Sequence, residues 1–163
     1  MGGSANAMLV VQSNLSNTYQ KLGRLEEATQ LSRDVYCARV KLSGKENNDT
    51  LVAASNYAAD LFLLQRFEES RSLLRKVIPV ARRFLGESDD ATLRMRWVYA
   101  RAVYEDPAAA LKDLRKVVKT LEELAPTARQ VFGGAHPLTT TFDKSLRDAR
   151  AVLAARETPS DAS

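Results

Sequence analysis

The chain has 163 residues, of which 45% are apolar and 27% charged, with a net charge of +4. That length and apolar share suit one core-forming domain, and so small a positive excess falls below what a dedicated nucleic-acid binder carries. Cys37 is the only cysteine, which excludes an internal disulfide and a multi-cysteine metal site and points to a reducing compartment, the cytoplasm.

Residues 1–7 read as a disordered or tag-like leader. The apolar run from Met8 to Val11 is too short for a signal peptide or a membrane span, so no membrane association is expected. Gly2 does not make a myristoylation site, because Asn6 stands where that motif wants Ser or Thr. The sequons at Asn14 and Asn48 are then accidental. Helical periodicity starts at Met8 and runs to Leu22, with Val11, Leu15, Tyr19 and Leu22 on one stripe, and Gly23 ends it as a C-terminal cap. A partner helix, Leu25 to Leu42, places Ala28, Leu31, Val35 and Ala38 inward. Gly44 stops it, and Asp49 or Thr50 is placed to cap the next.

The pattern then recurs. At a shift of 42 residues Asn14 falls on Asn56, Leu22 on Leu64, Arg24 on Arg66, Glu26 and Glu27 on Glu68 and Glu69, and Val35 on Val77. Gly44, Thr50 and Leu51 fall likewise on Gly86, Thr92 and Leu93. A fixed internal period of this length is the mark of a helical repeat. The second unit therefore pairs Thr50–Leu64 with Phe67–Leu85, where Pro79 is expected to kink the helix without ending it. The third, looser unit pairs Asp90–Tyr104 with Pro107 to about Gln130, Asp106 serving as N-cap, and Pro126 is placed to bend or end that helix. Thr139 to Arg156 forms a last single helix. Units are drawn at about 8–48, 49–88 and 89–136, with a capping helix at 137–156 and a disordered tail at 157–163. No stretch alternates with period two, so the fold class is all-α, with no strand.

The segment NLSNTYQKLGRLEEATQLSRDV, Asn14 to Val35, resembles a tetratricopeptide repeat, in which Leu15 and Tyr19 would pack on Ala28. The 42-residue spacing and the linkers FLGESDDATL at Phe84 and FGGAHPLTT at Phe132 are similar to the kinesin-light-chain subtype. The resemblance covers about residues 8–150. It implies an α-α superhelix, a solenoid of about three helix pairs with a C-terminal capping helix, acting as a protein–protein interaction scaffold or adaptor and not as an enzyme. Departures from the repeat pattern are Gln65 in place of Gly23, Ser70 in place of Ala28, and Val98 in place of the first-helix asparagine.

In such a stack the first helices line a concave groove. The resemblance places Ser13, Asn14, Asn17 and Lys21 of the first unit there, with Ser55, Asn56, Ala59 and Leu63 of the second and Arg94, Trp97 and Arg101 of the third. Asn14 and Asn56 would hydrogen-bond an extended peptide backbone through both ends of the amide; the bland alternative is that they are tolerated on a partly exposed face. Arg94 and Arg101 lie two helical turns apart with Trp97 between them, a patch suited to an acidic or aromatic peptide, unless Trp97 is core and the arginines are solvated. A full clamp for a C-terminal carboxylate is not expected, since only Asn17, Asn56 and Arg94 fall near matching places.

Chemistry is thin elsewhere. His136, the only histidine, has no companion for a metal site or a nucleophile pair, and Cys37 reads as a small core residue. Glu26–Glu27, Glu68–Glu69 and Glu122–Glu123 are sequence neighbours and point about 100° apart on a helix, so they cannot converge on one substrate atom. No catalytic residue, cofactor or metal is expected. The alternative function is an RNA-binding helical repeat using Arg82, Arg83, Lys112, Arg115, Lys116 and Lys119. An uncapped apolar edge near Met8, Leu9 and Val11 suggests self-association.

Overall fold

A computed structural model describes residues 2–158. Among them are seven helices and no strand: α1 (Gly2–Lys21), α2 (Leu25–Ser43), α3 (Asn48–Leu63), α4 (Phe67–Phe84), α5 (Asp90–Tyr104), α6 (Leu111–Phe132) and α7 (Pro137–Glu157). The chain forms two compact units, one ending at Met95 and the other beginning at Arg96, so the seam falls inside α5.

In the first unit α1 packs on α2, α2 on α3 and α3 on α4, consecutive helices joined by short turns that force them antiparallel. The α1–α2 turn closes by bonds from Gly23 N to Gln20 O (3.0 Å) and from Arg24 N to Tyr19 O (2.9 Å). The left-handed residue this requires is Gly23, φ 76°. The α3–α4 turn repeats both bonds, Gln65 N to Phe62 O and Arg66 N to Leu61 O at 2.9 Å each, yet its left-handed residue is Gln65 at φ 60°. Next to these turns the paired helices touch through small side chains. Ser16 Oγ of α1 donates to Ala28 O of α2 at 2.9 Å, whereas Ser70 Oγ of α4 donates to Ala58 O of α3 at 2.8 Å. The substitution of Ala28 by Ser70 along the repeat is thus matched by that of Ser16 by Ala58.

Several expectations are corrected in this unit. The helix begins at Gly2 and not at Met8, because the leader has a job: the Asn6 amide oxygen accepts from the buried Arg39 guanidinium. The face of α1 that turns inward carries Leu9 and Ser16; Val11, Leu15 and Leu22 are 64%, 40% and 66% exposed and stand largely outside the core. The apolar stripe of α1 was a genuine helical stripe pointing outward. The cap of α3 is Asn47, whose Oδ1 accepts from Asp49 N at 2.9 Å and Thr50 N at 3.3 Å. Thr50 is instead buried, its hydroxyl donating back to Arg39 O at 3.3 Å. Cys37 is exposed, not core.

The core of the unit lies mainly between α3 and its neighbours. Leu51, Ala54, Ala58 and Leu61 of α3 meet Ala28 and Val35 of α2 and Leu74, Val77 and Ala81 of α4, all at 6% exposure or less. Each fully buried Leu or Val contributes about 1.5–3 kcal/mol. α4 runs on through Pro79 to Phe84.

In the second unit α6 and α7 pack face to face. α6 buries Leu114, Val117, Leu121, Leu124 and Ala128, and α7 buries Leu138, Phe142, Ser145 and Ala149 at spacings of three and four, with Thr139 beside them. It has the one-sided burial of a capping helix. α6 starts at Leu111, not Pro107, because Asp106 Oδ1 closes a turn onto Ala108 N at 2.9 Å instead of capping a helix. It also passes Pro126 and ends only at Phe132, where Gly133 adopts φ 84°. α7 begins with Pro137 at its first turn and His136 as its cap. Of the expected tail, Glu157 closes α7 and residues 159–163 lie outside the described residues.

Candidate functional site

α1 and α3 lie side by side in sequence order on one face of the first unit, and between them opens a concavity of about 220 Å³. Ser13, Asn14 and Asn17 of α1 and Asn56 of α3 line it together with Val10, Val52 and Ala53; Arg39 and Asp49 complete its lining. Helix geometry explains the set, since residues 10, 13, 14 and 17 recur at three and four. Among the described residues the amide groups of Asn14, Asn17 and Asn56 have no hydrogen-bond partner, while Arg39 and Asp49 meet at 3.5 Å and offset each other's charge. The site therefore presents uncommitted amide donors and acceptors between the exposed side chains of Val10 and Val52.

The other groove candidates of this unit do not join that concavity. Lys21 and Leu63 are exposed and Ser55 and Ala59 half-buried, and none lines it. Along α5, Arg94 is tied to Asp90 (2.6 Å) and Arg101 to Glu105 (2.7 Å). Trp97, in the second unit, donates its indole N–H to Ser145 Oγ of α7 at 2.8 Å, and the Arg101 guanidinium lies over its ring, 5.1 Å from the centroid. Tyr104 also donates to Ser145, at 3.2 Å, and burial pushes its phenol above the ordinary range. Trp97 thus spends its polar edge on holding α7.

A buried polar cluster went unforeseen. Asp60 of α3, 3% exposed, accepts from Gln20 Nε2 at 2.6 Å and from Ser16 Oγ at 3.5 Å. Burial raises its carboxyl above the usual range, against the opposing pull of hydrogen bonds from Ser32, Gln20 and Ser16. The signal was available: a carboxylate at position 60 interrupts the apolar run from Ala58 to Phe62.

The surface charges are largely spoken for. Arg24 holds Glu27, and Arg66 holds Glu69 at 2.5 Å, each keeping its partner's carboxyl below the usual range. Arg75 and then Arg71 do the same for Glu68, and Glu122 meets Arg150 at 2.8 Å. In the basic stretches Arg82 pairs with Glu87, Arg83 with Glu46 and Arg115 with Glu157, so these arginines offer little free charge to a phosphate backbone. His136 caps α7 by accepting from Leu138 N at 3.1 Å through Nδ1 and stacks on Phe132 at 4.6 Å. Among the described residues no three His, Cys, Asp or Glu side chains gather to hold a metal, and no helix is long and apolar enough to cross a membrane.

Known proteins give the arrangement a context. Sequence profiles of the tetratricopeptide repeat match residues 9–49 and 49–123, which together span more than half of the chain. No curated protein matches by sequence. Among solved structures, kinesin light chain TPR-like repeats from Podosopora anserina superpose with a TM-score of 0.65 at 20% identity, covering 95% of this chain and 77% of that one. A variant of the same repeats gives 0.55 at 18% identity, covering 92% and 88%. BtubC (BKLC) of P. vanneervenii gives 0.52 at 13% identity, covering 94% and 66%. At these identities the likeness is one of fold.

Proposed function

Because the chain belongs to the tetratricopeptide-repeat family, whose repeats generally mediate protein–protein interaction, we propose that it is a scaffold or adaptor holding an extended peptide against α1 and α3. The observation that carries this is the trio of Asn14, Asn17 and Asn56, unpartnered around the 220 Å³ concavity. An amide can donate to a peptide carbonyl and accept from a peptide N–H at once, so three of them can register a backbone whatever its side chains. Val10 and Val52 supply the apolar contact beside them. Since Arg94 and Arg101 already carry Asp90 and Glu105, the first contacts are assigned to the amides and a preference for acidic peptides is secondary.

The test is capture with crosslinking. Crosslinks from a bound protein should fall on α1 and α3, and Asn14→Ala with Asn56→Ala should weaken capture by about 1 kcal/mol per lost bond, several-fold each, with Tm unchanged. Undiminished capture by the double variant, or crosslinks confined to other faces, would reject the groove. Arg94→Ala with Arg101→Ala separates out any acidic preference.

A second reading concerns another face of α1. Met8, Val11, Leu15 and Leu22 fall within an arc of about 60° at 100° per residue, all at least 40% exposed, and Gly2 to Gln20 contain no charged residue. Two copies of a chain with net charge +4 can meet there without like charges in contact. Sedimentation should show a concentration-dependent dimer that Val11→Glu abolishes; a monomer throughout would reject it.

A further inference from the structure

A second pocket of the first unit lies apart from the α1–α3 concavity, enclosed by α2, the α2–α3 linker, α3 and α4. Its walls are Leu51 and Ala54 of α3 and Val77 and Val80 of α4, its volume is about 80 Å³, and Tyr36, Lys45, Thr50 and Lys76 stand with them in its lining. Leu51, Ala54 and Val77 are 6% exposed or less, so the floor of the pocket is core, while Lys45 and Lys76 stand exposed at its edge.

None of the described lysines is in an ion pair, and Lys45 and Lys76 are the two that flank this hole. Most of the neighbouring arginines are in ion pairs, including Arg83, which takes Glu46 beside Lys45, and Arg75, which takes Glu68 beside Lys76. Lys45 and Lys76 are exposed, and among the described residues neither meets a carboxylate or any hydrogen-bond acceptor. The half-buried Tyr36, tilted against Tyr57 at 6.2 Å, likewise has no hydrogen-bond partner for its hydroxyl among them. Two ammonium groups and a phenol hydroxyl thus stand around an apolar hole whose lining contains no carboxylate.

We infer that this pocket is a docking site for an acidic peptide segment, taking one aliphatic side chain into the hole while flanking carboxylates pair with Lys45 and Lys76. The volume sets the side chain. An apolar cavity of about 150 Å³ takes a benzene ring, and 80 Å³ is roughly half of that, room for the branched end of Val, Leu or Ile. The rim sets the charge, because unpaired cations beside a low-dielectric cavity favour an anionic partner. The inference stands independently of the amide-lined concavity, with which it shares no lining residue.

The probe is the capped peptide EELEE, titrated into the isotope-labelled full chain at low salt and followed by amide chemical shifts. The shifts should centre on Tyr36, Ala54, Val77 and Val80. Affinity should fall at least tenfold with the probe QQLQQ, about tenfold with EEAEE, and at least tenfold with Lys45→Gln plus Lys76→Gln. Both lysines are exposed, so this variant should keep the wild-type Tm; if it does not, the two altered probes on the unaltered chain decide. Shifts gathering around Asn14, Asn17 and Asn56 or elsewhere, equal binding of EELEE and QQLQQ, equal binding of EELEE and EEAEE, or no shift at millimolar peptide would each overturn the assignment.

Discussion

In the hairpin α1–α2 the turn residue is Gly23, and in α3–α4 the same place in the repeat is Gln65; both adopt positive φ and both close the same pair of backbone bonds. Leu9 of α1 corresponds to Leu51 of α3, yet the first is 7% exposed beside a helix with little else buried and the second 2% exposed on a helix covered from two sides. Thr50 donates to Arg39 O, while its counterpart Thr92 is buried with no partner for its hydroxyl among the described residues. One frame therefore tolerates different local costs, and position in the stack decides where a cost can be carried.

The largest expected contrast is in core truncation. Leu51→Ala should cost about 2–5 kcal/mol and Leu9→Ala clearly less, because a one-sided site can relax; equal losses by chemical denaturation would mean that α1 is as deeply integrated as α3. Next is Thr92→Val, which removes an unsatisfied buried hydroxyl and should stabilise by about 1–3 kcal/mol, whereas Thr50→Val should destabilise by about 1 kcal/mol. Gln65→Gly should raise stability by about 0.5–1 kcal/mol, relief of the left-handed strain being partly offset by unfolded-chain entropy. If Gln65→Gly lowers Tm, the glutamine has a compensating contact in solution.

The last is a slope with pH. Folding raises the Asp60 carboxyl above its ordinary 3.8, so the folded chain binds this proton more tightly than the unfolded one. Its stabilising contribution is complete below the unfolded value and is lost as pH rises through the raised folded value. Asp60→Asn should therefore gain on the wild type as pH rises from about 4 to 7, and parallel stability profiles would show that the carboxylate is not desolvated.

The repeat frame, the helix count and most helix ends were legible because glycines, linkers and apolar periodicity agree at each. What misled was direction. The stripe Val11, Leu15 and Leu22 has faultless helical spacing, and spacing alone does not say whether a neighbour covers it. The start of α6 was misplaced because a Pro after an Asp opens a helix and closes a turn with the same residues. The resemblance offered Ser13, Asn14, Asn17 and Asn56 alike as groove positions, and these four line one concavity. The roles of Asn6, Ser145 and Gln20 could not be read, since each acts on a residue more than thirty positions away.

The exchange of Ser16–Ala28 for Ala58–Ser70 limits how such a chain could be rearranged. Grafting α1 onto α4 would press two hydroxyls into a contact built for one, and grafting α3 onto α2 would leave two methyls and no bond. Half a repeat is consequently not interchangeable with its homologous half. The smallest piece that can be duplicated, deleted or shuffled without penalty is the whole hairpin.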